Sequence, residues 1–376
     1  MNRHLLQSIF WTTGGNPRGP IWRGDQCRRS GSCGIAILPS KYTALAMRIL
    51  HVRGYAGLIA SVTCNSNVVR IFFLVCVAAL ISSAAFAQTD ASLATPTGHE
   101  VNASVGSYTY TEPGAQSISI HGVKVGGEYT ATLSLSKRRH WFAQTEVRGT
   151  IGSVTYTGWC SPYLITPNSA SPNGYELGFG NASPCSETGD RDWYLEARVL
   201  AGKDLIGRTW AWSPYGGLGV RHLSNGTTGT AGYRTDEYLY LPVGMTARTS
   251  VASRGALSVN FEFDRLLHGW QKTRGSELGG GDVPATATAP AFTIDGFTDV
   301  SFSQPGGWAL RASAKYQVTR HWSAEPYYVH WNVGASPVND QTVTFTVNHV
   351  TARERIGFYE PLNTTDEFGV KWGFHF

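Results

Sequence analysis

The chain has 376 residues, with 31 Lys plus Arg against 26 Asp plus Glu. Residues 1–87 hold nine basic side chains and one acid (9 − 1 = +8), which leaves 22 − 25 = −3 for residues 88–376 and excludes a basic nucleic-acid binder. Only 15% of residues are charged, and 43 are Gly, 12 Trp, 17 Tyr and 16 Phe, which excludes a long-helix protein and a disordered chain.

Residues 1–67 show no periodicity and read as an extension ahead of the true start, with Met47 or Val68 as start residues. Residues 68–87 read as a secretory signal peptide: Arg70, an apolar stretch from Ile71 to Ile81, then Ala85-Phe86-Ala87, with cleavage expected before Gln88. Cys76 lies inside the apolar stretch, which argues against a lipid-modified N-terminal Cys. Beyond position 87 no run of about 20 apolar residues occurs, so a helical membrane bundle is excluded.

Residues 88–376 carry period-two alternation, the mark of strands with unlike faces. Ten strands are predicted, at 100–111, 118–135, 140–157, 191–203, 208–224, 233–248, 255–271, 297–317, 321–334 and 365–376. The last is the clearest: Phe368, Val370, Trp372, Phe374 and Phe376 share one face, and Glu367, Gly369, Lys371, Gly373 and His375 the other. Four connections are short, while those at 158–190, 272–296 and 335–364 are long and rich in Gly, Pro, Asn, Thr and Ser. Short turns at one end and long loops at the other predict an all-β fold, a transmembrane antiparallel up-and-down β-barrel of about ten strands. In hydrocarbon an unpaired N–H or C=O costs several kcal/mol, so such a sheet must close on itself. A soluble β-sandwich or a lipocalin-like cup would put the same apolar residues inside.

Parity then predicts which side chains line the lumen: Lys124, Glu128, Glu146, Arg148, Glu196, Arg198, Arg221, Glu262, Asp264, Arg311, Lys315, Glu325 and Lys371. Seven are positive and six negative, a set that predicts a plugged interior, since wide aqueous channels need about 16 strands. The final strand resembles the C-terminal signal of Gram-negative outer-membrane β-barrel proteins. That resemblance implies that Trp372, Phe374 and Phe376 are read by the outer-membrane assembly machinery. Gly217-Leu-Gly-Val-Arg221 and Tyr359-Glu360-Pro361 also resemble uncharacterised ten-stranded members of that class. Cys160 and Cys185 are the two cysteines left after processing; in an oxidising compartment they predict a disulfide, worth roughly 3 kcal/mol on a chain-entropy account.

One constellation carries chemistry. His222 and Ser224 share the lipid-facing parity of Leu218 and Val220, and a hairpin turning at Gly229–Thr230 would set Glu237 opposite His222. A Ser, a His and an acid on one face are the parts of a nucleophile, its base and the group that orients the base. Read otherwise, Arg221, His222, Ser224 and Asn225 are polar residues where a strand leaves the membrane, which the interface tolerates. Gly219-Val-Arg-His-Leu-Ser-Asn-Gly226 followed by Glu237 resembles the PagL-type lipid A deacylases, an eight-stranded family. The resemblance implies an ester hydrolase with His222, Ser224 and Glu237 as catalytic residues and Asn225 in an oxyanion or orienting role. It departs from the family in strand count, in placing the hairpin mid-barrel and in one extra residue before Glu237. Asp190-Arg-Asp192-Trp193 resembles the paired-aspartate segment of omptin proteases, but no Asp-x-His partner accompanies it. No phosphate-binding loop, dinucleotide fingerprint or His-Glu-x-x-His occurs, so no cofactor or metal is expected.

The expected role is that of a monomeric outer-membrane barrel with long extracellular loops, structural or surface-interacting, whose partners are outer-membrane lipid, lipopolysaccharide and the assembly machinery. A lipid A deacylase and a small-solute channel are the two alternatives.

Overall fold

A computed structural model describes residues 93–113, 118–160, 163–181, 183–226, 233–251, 255–277 and 280–376. The expected extension at 1–67, the expected signal peptide at 68–87 and the turn at Gly229–Thr230 lie outside the described residues. The strands are β1 Gly98–Glu112, β2 Ile118–Ser136, β3 Trp141–Cys160, β4 Tyr163–Pro167, β5 Tyr175–Phe179 and β6 Ser183–Lys203. They continue as β7 Leu205–Ile206, β8 Trp210–Gly226, β9 Tyr233–Val251, β10 Gly255–Arg274, β11 Gly281–Val283 and β12 Phe292–Phe297. The last six are β13 Val300–Gln304, β14 Gly307–Gln317, β15 Trp322–Val333, β16 Asn339–Val347, β17 Val350–Phe358 and β18 Asn363–His375.

Ten of them form a closed antiparallel ring in the order β1, β2, β3, β6, β8, β9, β10, β14, β15, β18, with β18 pairing back onto β1. Closure leaves no unpaired edge along the wall. Alternation sets the two faces apart. Val123, Val243, Phe261, Phe368 and Trp372 stand exposed on the outside, whereas Lys124, Glu196, Arg221, Asp264 and Glu367 are buried within. The wall is therefore apolar outward and ionic inward, the reverse of a soluble sandwich, and Trp212 and Leu241 also stand outside.

Three expectations need correction. The predicted strand at 297–317 is divided into the end of β12, then β13 and β14, because Pro305 and Gly306 interrupt the ladder. The long connection at 158–190 is largely strand: β3 and β6 run on beyond the wall, paired from Thr155↔Thr188 to Cys160↔Ser183, and β4 and β5 form a hairpin between them. The connections at 272–296 and 335–364 supply a four-stranded sheet, β11-β12-β16-β17. That sheet has an apolar core of its own, in which Phe292, Ile294, Val343, Phe345, Val347 and Phe358 are buried with Tyr163, Ile165 and Leu177 of the hairpin. Ring stacking joins Tyr163 to Phe179 and Phe297, and burial pushes the Tyr163 phenol well above its ordinary range. This cap lies at the end of the barrel opposite Gly98 and Phe376.

Candidate functional site: the lumen and the outer rim

Inward-facing ions pair both between neighbouring strands and between strands well apart in the ring. Arg148 pairs with Glu367, which also accepts from Tyr194 Oη at 2.8 Å and Tyr327 Oη at 2.7 Å. Arg311 bonds Glu196 and, at 2.7 Å, Asp264; Arg198 holds Glu146 and Glu262; Lys371 reaches Glu128 at 2.9 Å and Glu325 at 3.5 Å. Lys124 pairs with Asp192, and its ammonium lies 3.2 Å from the Tyr108 ring centroid. Lys315 pairs with Glu100. Parity points to most of these residues; Glu100, Asp192 and Glu367 are the further partners that the structure brings to them. Arg221 differs: its guanidinium stacks 4.1 Å from the Tyr194 centroid and 5.5 Å from that of Trp331.

Glycine makes room for the large rings. A Cβ on Gly219 would lie 2.2 Å from the Tyr240 ring, so the missing side chain at 219 is what gives that ring its room. Toward the cap, Tyr110 Oη donates to Glu112 at 2.9 Å and to Glu360 at 3.2 Å, and Arg234 stands 3.8 and 3.7 Å from the same two carboxylates. Toward the termini the filling stops. A cavity of about 1320 Å³ opens there, lined by Glu128, Arg198, Lys315 and Lys371 and, at its mouth, by Thr95. Thr95 is fastened down: its amide donates to Asp204 at 2.9 Å, and Ser213 and Arg248 meet the same carboxylate at 2.5 and 3.6 Å.

On the outer wall the register pairs His222 directly with Glu237, and His222 Nδ1 lies 3.4 Å from Glu237 Oε1. The Trp193 ring packs 5.3 Å from the His222 ring, and Ser224, opposite Trp193 and Thr235, is fully buried. His222, Ser224 and Glu237 thus share one face at the cap end of the apolar band. Asn225 falls on the other face, opposite Asp192 and Arg234, so its side chain is not presented toward Ser224. The residues resembling the omptin pair are also placed by this register: Asp192 is committed to Lys124 inside the lumen.

Cys185 pairs with Gly158, two positions along from Cys160, whose side chain lies outside the described residues. Among the described residues no group of three or more His, Cys, Asp or Glu is placed to hold a metal. Trp372, Phe374 and Phe376 are exposed on the outer wall, and Phe376 exchanges backbone hydrogen bonds with His99 at 2.9 and 3.1 Å, which finishes the seam between first and last strands.

No protein-family profile matches the chain, and no curated protein matches it. The solved structures it resembles are outer-membrane β-barrels. With the outer membrane protease OmpT of Escherichia coli it shares 10% identity over 78% of this chain and 100% of that one, at a TM-score of 0.41. With the COG4313 outer membrane channel of Pseudomonas putida F1 it shares 11% over 77% and 100%, at 0.31. With the outer membrane protein OprG of Pseudomonas aeruginosa the figures are 9%, 76% and 99%, at 0.26. The ring of strand pairs, rather than these likenesses, establishes the fold: the chain is a closed ten-stranded β-barrel with an apolar exterior.

Proposed function

We propose that residues 88–376 form an integral outer-membrane barrel, sealed within by ion pairs and tyrosines, that holds a folded β-cap at the cell surface for contact with lipopolysaccharide or other surface ligands. The observation that carries this reading is the pairing of an apolar exterior with an interior in which Arg148–Glu367 and Arg311–Glu196 join strands that are not neighbours in the wall. A solute path through that section would have to part buried ion pairs, and the cap core gives the exposed loops a fixed shape. Both termini then face the periplasm, as an even strand number requires, and a Cys160–Cys185 disulfide would brace the hairpin beneath the cap. Planar bilayers test the seal: the purified protein should give no discrete conductance steps, and steady single-channel openings would turn the assignment toward a small-solute channel. Replacing 336–361 with a short linker tests the cap: the barrel should still insert while binding to lipopolysaccharide-bearing cells is lost.

The His222–Glu237 contact favours a second reading, a lipid A ester hydrolase. In it Ser224 Oγ would attack an ester carbonyl as His222 takes its proton and Glu237 holds the imidazole. His222 would return that proton to the departing alcohol oxygen as the ester C–O bond breaks, and water activated by His222 would then hydrolyse the acyl-serine, releasing the fatty acid and restoring the serine hydroxyl. His222 and Ser224 share the outward parity of Val220, the side on which such an ester would lie, although Ser224 itself is buried. Incubation with lipopolysaccharide should release a fatty acid, and Ser224→Ala should stop that release in a barrel that still folds. Release that persists in Ser224→Ala would rule this reading out.

A further inference from the structure

A guanidinium stands on the outer side of the wall with no polar partner among the described residues. Arg265 of β10 is exposed and lies in register with Leu241 of β9 and Trp308 of β14. Along its own strand it follows Phe263, and next comes a bulge between Leu266 and His268, which leaves Leu267 exposed beside it. Among the described residues Arg265 makes no hydrogen bond, ion pair or ring contact. An Arg on the lipid side is expensive near the bilayer midplane and nearly free at the interface, the depth at which lipid phosphates come within its reach.

Its neighbours are of the same kind. The His268 ring lies 4.3 Å from the Trp270 ring, with His268 Nε2 3.1 Å from Ser303 Oγ. The Trp308 ring lies 5.2 Å from that of His330, whose Nδ1 is 2.9 Å from Asp366 Oδ1. A free guanidinium is thus flanked by two indole–imidazole pairs at the cap end of the apolar band. Indoles settle at headgroup depth because one edge is wet and the body is apolar. Arginine takes phosphate oxygens through two parallel N–H bonds, which a lysine ammonium cannot do.

We propose that Arg265, with His268 and Trp308 beside it, is a binding site for the phosphate-bearing headgroup of an outer-leaflet lipid. The headgroup would bridge the guanidinium and the Ser303–His268 pair while the acyl chains lie along Phe263, Leu241 and Leu310. The proposal rests on the outer-membrane reading given above but not on the hydrolase reading, whose His222 and Glu237 stand on other strands.

The test uses the full barrel purified in detergent, with diphosphoryl lipid A and the same lipid stripped of phosphate as probes, and retention followed by native mass spectrometry. Wild type should retain the phosphorylated probe about tenfold more strongly than Arg265→Leu does, the factor of one good charge-assisted contact, and Arg265→Lys should fall between. Millimolar inorganic phosphate should leave that retention unchanged. Equal retention by wild type and Arg265→Leu, or equal retention of the two probes by wild type, would overturn the site; so would displacement by inorganic phosphate, which would make it a site for the free ion. Leucine suits a lipid-facing wall, so the variant should keep the folded mobility of the unheated barrel on a gel. Loss of that mobility in wild type itself would instead count against the membrane reading.

Discussion

The barrel wall and the cap are built from the same period-two strands and solve opposite problems. In the cap, Val343, Phe345 and Val347 point inward and are wholly buried within an apolar core. In the wall, Val243 and Phe261 point outward and are largely exposed, while Glu196, Asp264 and Glu367 fill the centre. Alternation therefore states that a strand has two unlike faces and does not state which one is wet. That choice is made by the medium. The wall is held by a closed ladder and by ions bonded across the lumen, and the cap by an apolar cluster drawn from segments far apart in the chain.

The largest effect should come from breaking an ion pair in the lumen. Glu367→Ala leaves Arg148 without its carboxylate and two tyrosines without their acceptor, and should cost about 3–5 kcal/mol in a urea titration of the folded barrel. Phe345→Ala should cost a similar ~3–5 kcal/mol, but the loss should be confined to the cap: protease cuts would appear in 281–297 and 339–358 while the barrel stays protected. If the barrel melts with it, the two regions are one cooperative unit and the contrast fails. Val243→Arg sharpens the contrast from the other side. Val243 is 62% exposed, so a soluble protein would tolerate the change, whereas a lipid-facing site should lose about 2–4 kcal/mol. The smallest effect concerns Asp299, between β12 and β13, which is only slightly buried. Hydrogen bonds from Lys272 and from the Ser276 hydroxyl and amide outweigh that burial and hold its carboxyl down at about 2. Ser276→Ala should move that titration upward in carboxyl NMR, and a downward or absent shift would contradict the bond.

The wall was legible because each of its strands repeats the pattern over ten or more residues, long enough to outlast local noise. His222 opposite Glu237 was legible too, since a hairpin fixes register by arithmetic alone. The cap was not. Its strands are short, three to nine residues each, and although Val343, Phe345 and Val347 alternate, Phe292 meets Val347 from another connection, a pairing no local pattern announces. The lumen lay in between: parity separates inward from outward, but Arg148 and Glu367 are 219 residues apart, and the barrel's closure is what selects them for each other. Asn225 shows the cost of leaning on a motif, because the same parity that groups His222 with Ser224 assigns it to the opposite face.

The seam between β1 and β18 bears on how the molecule comes into being. Twelve successive residue pairs join Glu100–Thr111 to Thr364–His375, so the most distant parts of the barrel must find each other for it to close. Contacts of such long range are slow to form, and until they do, two bare strand edges face outward together. Nascent copies left waiting in that open state would have a ready means of zipping onto one another, a hazard that ends only when the first strand meets the last.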